Sequence, residues 1–333
     1  MTAAPNPRVG IIGAGGIGKT HLSSWAANGI APTAIADANP DTLASAVAEH
    51  GGQAYASGLD LIASGAVDLI SICTPPAFHA DLAVASLDAG IGVLCEKPLA
   101  TTIGDAERVA RTVERTGTLF AMGFCHRYQP HIEALKAMID GGELGVIREF
   151  RNRFAGHLAS VEQTWFSNPE IAGGGVLADT SIHSIDLFRY LVGDPVHIHA
   201  LTSSCESGLG PSLDVEDTGT IILKSGEGAL GVLESSWRTP VGEWVVAVHG
   251  TGGSAIVDYA DLTLRACTKG GDWADVAVPD GDRFVREIAA FIACWRGEDT
   301  PRATIGDGLA ATRILDDAYR AANAPTTLDA EPG

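Results

Sequence analysis

Arg8-Val9-Gly10-Ile11-Ile12 runs directly into Gly13-Ala14-Gly15-Gly16-Ile17-Gly18, and this junction constrains the chain more than any other stretch. A short β-rich run, glycines in the order G-x-G-x-x-G, a helix-like segment through His21, Leu22, Trp25 and Ala26, and an apolar run ending on Asp37 make a strand, turn, helix, strand unit. Each glycine has a distinct task. Gly13 permits the tight turn, Gly15 lets the backbone approach a pyrophosphate, and Gly18 lets the new helix pack against the strand. The N–H groups of the helix's first turn, at Gly16 and Ile17, then face the anion with the positive end of the helix dipole behind them. Asp37, nineteen residues after Gly18, falls where a carboxylate accepts the ribose hydroxyls of an adenosine. That carboxylate repels a 2′-phosphate, and the following Ala38-Asn39-Pro40-Asp41 offers no Arg or Lys to hold one, so NAD is expected over NADP.

The 333 residues allow one or two domains with ample buried core. A net charge of −19 argues against nucleic acid and anionic membrane as partners. The six cysteines, Cys73, Cys95, Cys125, Cys205, Cys267 and Cys294, are scattered with no C-x-x-C pair, which favours buried reduced thiols over zinc or a redox dithiol. Met1 to Pro7 carries no cationic segment ahead of an apolar one, and no run of eighteen apolar residues occurs, so a cytoplasmic protein is expected.

Strand-like runs at 8–12, 32–36, 68–72, 92–95 and 119–123 alternate with helical patterns at 18–28, 41–50, 79–89 and 104–116. This alternation predicts a doubly wound parallel sheet in an α/β domain over residues 1–125. After Phe124 the pattern changes. A helix over 131–141, a strand over 146–155 and a helix over 176–192 precede repeated short strands at 196–203, 215–223, 228–237, 243–249, 253–258 and 261–266. Residues 126–333 therefore read as an α+β domain with a large, mainly antiparallel sheet, open on one face or used for association. Helices at 283–296 and 306–322 close the chain and are expected to pack near the first domain.

Ligands of an open parallel sheet bind beyond the carboxyl ends of its strands. One such loop is Cys73-Thr74-Pro75-Pro76-Ala77-Phe78-His79, stiffened by its prolines, where Thr74 is a cofactor candidate and His79 either contacts the cofactor or simply starts a helix. The next is Cys95-Glu96-Lys97-Pro98. Lys97, extended because it precedes proline, either reaches into the cleft or bridges to Glu96 at the surface. Further on, Asp179, His183 and Asp186 follow the run Gly173-Gly174-Gly175 and share one helix face at i, i+4 and i+7. An Asp and His so placed form either a satisfied polar pair or an oriented general base. His197-x-His199 lacks a Cys or carboxylate at metal spacing, and no metal site is expected.

These segments together identify a resemblance. Gly13-x-Gly15-x-x-Gly18, Glu96-Lys97-Pro98 and Gly173-Gly174-Gly175-x-Leu177-x-Asp179-x-x-x-His183-x-x-Asp186 resemble the glucose-fructose oxidoreductase/inositol dehydrogenase family of NAD(P)-dependent sugar and polyol dehydrogenases, from about Arg8 to Ala322. The resemblance implies a Rossmann domain followed by an α/β domain whose sheet forms homodimers or homotetramers. It implies catalysis by Lys97, Asp179 and His183, cofactor contacts extending to Pro75, His79 and Glu96, and oxidation of a secondary hydroxyl on a cyclic sugar or polyol. Arg127 becomes a substrate or cofactor contact, His157 either a polyol contact or a surface residue, and Thr180 a substrate neighbour of Asp179. His126 is a candidate for phosphate or carboxylate recognition beside Arg127, while Trp165 and Trp237 supply either an apolar wall or core packing. Two other outcomes fit the same motifs: an NAD-retaining glycosidase that oxidises only transiently, and a nonenzymatic sugar or dinucleotide sensor.

Overall fold

The computed structural model describes residues 6–204 and 213–324, so Cys205 and Met1–Pro5 lie outside the described residues. The first sheet is built from β1 (Val9–Ile12), β2 (Ala34–Ala36), β3 (Gln53–Tyr55), β4 (Leu69–Ile72), β5 (Gly92–Glu96) and β6 (Phe120–Gly123). All its pairings are parallel, in the order β3-β2-β1-β4-β5-β6. Helices α1 (Gly16–Ala27), α2 (Pro40–His50), α3 (Gly58–Ala63), α4 (His79–Asp88) and α5 (Ile103–Thr116) connect the strands. Every residue of β1, β4 and β5 is buried, as strands covered on both faces require. Helix starts follow side-chain chemistry: Asn39 Oδ1 accepts from Asp41 and Thr42 N–H at α2, and Thr102 Oγ1 accepts from Asp105 N–H at α5.

α6 (Pro130–Asp140) leads into β7 (Ile147–His157), the short α7 (Pro169–Ala172), a π-helical turn over Leu177–Ser181 and α8 (Ile182–Leu191). Then come β8 (Pro195–Ser203), β9 (Thr218–Ser225), β10 (Leu230–Ser236), β11 (Arg238–Gly250), β12 (Gly253–Asp258), β13 (Thr263–Thr268) and β14 (Ala274–Asp275). The second sheet runs β14-β13-β12-β11-β7-β10-β9-β8 and is antiparallel except between β7 and β10. Phe150 of β7 meets Phe188 of α8 edge-on with ring centroids 5.5 Å apart, so α8 covers the inner face. The outer face carries Leu201, Ile222 and Leu230, each at least 47% exposed.

Two closing helices join the lobes. α9 (Arg283–Trp295) packs Phe291 edge-on against Trp25 of α1, and α10 (Ile305–Ala322) lies between α5 and α8. α10 is held from below by a buried ion network. Arg127 donates to both carboxylate oxygens of Asp186 (2.6–3.1 Å), pairs with Asp307 at 3.0 Å and donates to the Arg302 carbonyl at 2.6 Å.

Three differences from the sequence expectations have physical causes. β3 and α3 were not expected, because a three-residue edge strand with exposed Gln53 and Ala54 and a six-residue helix carry too little periodicity to read. The helix expected over 176–192 is not one α-helix, since its first turn winds as a π-turn. β11 begins at Arg238 rather than 243, because an irregular register between Arg238 and Glu243 interrupts the alternation used to find it.

Candidate active site

The glycine cradle has the shape a dinucleotide needs. Gly13 adopts φ +89°, and a Cβ there would lie 2.7 Å from the Cys73 carbonyl. A Cβ at Gly18 would lie 2.0 Å from the Gly13 oxygen, whereas Gly15 and Gly16 have open space before them. The loop is fixed by Asp37, whose Oδ2 accepts from Ala14 N–H at 2.7 Å and Oδ1 from Asn39 N–H at 2.8 Å. The exposed amides of α1's first turn and this carboxylate fit a pyrophosphate and an adenosine ribose.

Beyond β4, β5 and β6 lies a cavity of about 260 Å³ whose wall includes Ile17, Thr74, Glu96, Lys97, Asp179 and His183. Lys97 leaves the end of β5 through a cis peptide to Pro98. Its Nζ donates to Asp179 Oδ1 at 2.9 Å and to the Asp179 carbonyl at 2.7 Å. Burial pushes the Lys97 ammonium down, but the carboxylates of Asp179 and Glu96 outweigh it and raise it above the usual lysine range. Lys97 is thus a cationic donor rather than a base. Glu96 stands behind it, with Oε1 2.9 Å from His21 Nε2 and Oε2 accepting from Lys97 N–H at 3.2 Å, so the cradle helix is tied to the lysine.

The Gly173-Gly174-Gly175 run brings Asp179 into place. A Cβ at Gly175 would fall 1.9 Å from the Glu216 carbonyl oxygen, so only glycine allows this approach. The Glu216 carboxylate accepts from the N–H groups of Gly175 and Leu177 and from Tyr319 Oη, capping the start of the site helix. Asp179 Oδ2 accepts from Thr180 Oγ1 at 3.1 Å and Trp237 Nε1 at 3.3 Å.

Asp179 does not hydrogen-bond His183, contrary to the i, i+4 expectation. The π-turn shifts the register between them, and the ammonium of Lys97 takes the carboxylate instead. His183 Nδ1 is buried without a partner. Burial, then Lys97, His126 and Arg283, push the imidazole well below its ordinary range, so it is neutral and free to accept a proton. His126 packs edge-on at 4.5 Å from His183 and holds Tyr259 Oη at 2.8 Å through Nδ1.

Of the residues singled out in the sequence, Thr74, Glu96, Lys97, Asp179, Thr180, His183, His126 and Trp165 line the cavity. Several other candidates do not. Arg127 is engaged by Asp186 and Asp307 beneath the site. His79 is fully buried, with its ring nitrogens 2.7 Å from the Pro98 carbonyl oxygen and 2.8 Å from that of Thr74, so it staples two loops instead of touching a ligand. Pro75 is likewise absent from the wall, where Pro76 stands. His157 is exposed at the end of β7, paired in register with Arg238. Trp237 reaches Asp179 from behind as a hydrogen-bond donor and forms no wall. Sequence reasoning missed Phe166, Trp244, Arg283 and Phe284, which reach the cavity from elements far apart in the chain.

Cys125, His126 and His183 place ligand atoms within 4.8 Å of one another. Burial raises that thiol and lowers both imidazoles, with the Lys97 and Arg283 charges bearing on the group.

Residues 7–124 match the oxidoreductase family's NAD-binding Rossmann fold, and residues 132–256 match a GFO/IDH/MocA C-terminal domain. The chain belongs to the GFO/IDH/MocA oxidoreductase family. Among family members, levoglucosan dehydrogenase of Pseudarthrobacter phenanthrenivorans is 29% identical, over 93% of this chain and 87% of its own. Inositol 2-dehydrogenase of Rhizobium meliloti is 28% identical over 94% and 96%. A solved structure of levoglucosan dehydrogenase in complex with NADH and levoglucosan superposes with a TM-score of 0.89, at 25% identity and covering 96% of this chain and 97% of that one. The two-lobed architecture, a parallel Rossmann sheet followed by a mainly antiparallel one, is therefore the family's own.

Proposed function

We propose that this protein is an NAD-dependent dehydrogenase that oxidises a secondary hydroxyl of a cyclic sugar or polyol. The observation that carries the reading is one cavity wall on which the Lys97 ammonium and an unpartnered, neutral His183 adjoin the end of the glycine cradle. Bound NAD supplies the hydride acceptor. His183 takes the hydroxyl proton, and Lys97, held by Asp179, donates to the same oxygen as it becomes an alkoxide. Asp179 acts on Lys97 rather than on the imidazole. Thr74 Oγ1, buried and without a partner, is available to the cofactor. The test is a screen of inositols, aldoses and anhydro-sugars for stoichiometric NADH release. Glycoside cleavage without accumulated NADH, or NAD binding with no turnover, would displace this reading.

Two further outcomes follow. Because Asp37 faces the ribose site and no basic residue follows it, kcat/KM is expected to favour NAD over NADP by about 10²-fold, and Asp37→Ser to narrow that gap. Equal use of both cofactors would contradict it. The pH dependence follows from His183. The base works when unprotonated, so activity is lost only as pH falls through its folded pKa, which lies well below 6.5. The acid limb of kcat/KM should accordingly sit clearly below pH 6.5, and a limb at or above that value would remove His183 from the role.

Association through the outer face of the second sheet is supported by Leu201, Ile222 and Leu230, and light scattering would report a dimer or tetramer. Free thiols at Cys73, Cys95, Cys125, Cys267 and Cys294 support a reducing, cytoplasmic setting. No helix among the described residues is long and apolar enough to cross a membrane.

A further inference from the structure

The cavity wall holds one charge that hydroxyl oxidation leaves without a task. Arg283 opens α9 and brings its guanidinium to the cavity, over the Phe284 ring with 5.0 Å to the centroid. Its Nε is buried without a hydrogen-bond partner, and no carboxylate among the described residues lies within ion-pair distance of it. The neighbouring Asp282 is already occupied, accepting from Phe284 and Val285 N–H at the start of α9. Glu287, one turn along the same helix, is buried with both carboxyl oxygens unpartnered. Burial there, with Glu96 nearby, raises that carboxyl well above the usual range against the pull of Arg283 itself, and no hydrogen bond or ion pair joins the two side chains.

The other charges on the wall are matched. Lys97 is paired with Asp179, and Glu96 is held by His21 and the Lys97 N–H. Arg283 shares the cavity wall with His126 and His183, and its charge bears on both imidazoles. A half-buried guanidinium whose Nε has no partner is open to an anion, and its planar fork matches a carboxylate or phosphate with two parallel hydrogen bonds.

We propose that the substrate is an anionic sugar whose carboxylate or phosphate ester is held by Arg283 while its hydroxyl meets Lys97 and His183. This rests on the dehydrogenase reading and narrows it. The experiment measures initial rates at saturating NAD for neutral aldoses, each beside its uronate and its 6-phosphate. One anionic form should exceed its neutral parent in kcat/KM by about 10²-fold, and the form that wins distinguishes carboxylate from phosphate. Arg283→Gln should erase that preference through KM for the sugar, with KM for NAD unmoved, and Arg283→Lys should recover part of it. The wild-type comparison needs no variant to fold. Neutral sugars used as well as or better than their anionic partners would overturn the proposal, as would an Arg283→Gln effect confined to NAD, and both leave the dehydrogenase reading standing. No NADH from any sugar, neutral or anionic, would remove both together.

Discussion

Lys97→Ala is expected to lower turnover by on the order of 10² to 10³ while NAD still binds. The ammonium is held by a carboxylate, through the 2.9 Å contact to Asp179, and it stays cationic despite burial. Removing it withdraws the charge that stabilises the alkoxide. The cradle is untouched, since it is set by Gly13, Gly18 and Asp37. Single-turnover NADH formation with a separate NAD titration distinguishes the two effects. Normal turnover would refute the role, and lost NAD binding would make Lys97 a cofactor residue instead. Asp179→Asn should fall in the same direction, because Lys97 then loses its partner and Trp237 and Thr180 lose an anionic acceptor.

The second large effect is on stability. Arg127→Ala is expected to cost about 3–5 kcal/mol, because it leaves Asp186 charged and buried without its partner. Both side chains are at most 5% exposed, and Asp307 loses one of its cations at the same time. Denaturant midpoints measure the loss. The Arg127→Ala/Asp186→Ala double variant should fall short of the sum of its singles, since the second change removes the stranded charge. A variant of unchanged stability with a raised sugar KM would return Arg127 to the substrate site. The likeness of motifs pointed to that site, whereas the structure places the guanidinium under α10.

The contrast between Lys97 and Arg127 shows where sequence reading reached and where it stopped. Lys97 was legible because a single strand end fixes it, and the loop after a parallel strand opens on the ligand crevice. The glycine cradle was legible for the same reason, with every part of it inside thirty consecutive residues. Arg127 depends on Asp186 and Asp307, which approach it only after α8 and α10 have packed. His183 shows a subtler limit. It stands on the cavity wall beside Asp179, yet the hydrogen bond that an α-helical spacing suggests between them is missing, because a π-turn alters what four residues mean. Glu216 and Arg283 carried no local signal at all. One caps the site helix from the segment just before β9, and the other enters the cavity from the start of α9, one hundred residues after His183 along the sequence.

The most direct measurement is a structure of the enzyme with NAD and an oxidisable sugar bound together. The account predicts one sugar hydroxyl within hydrogen-bond reach, about 2.6–3.2 Å, of both Lys97 Nζ and a His183 ring nitrogen. A sugar bound with its hydroxyls turned away from that pair, or a His183 ring rotated onto Asp179, would contradict it.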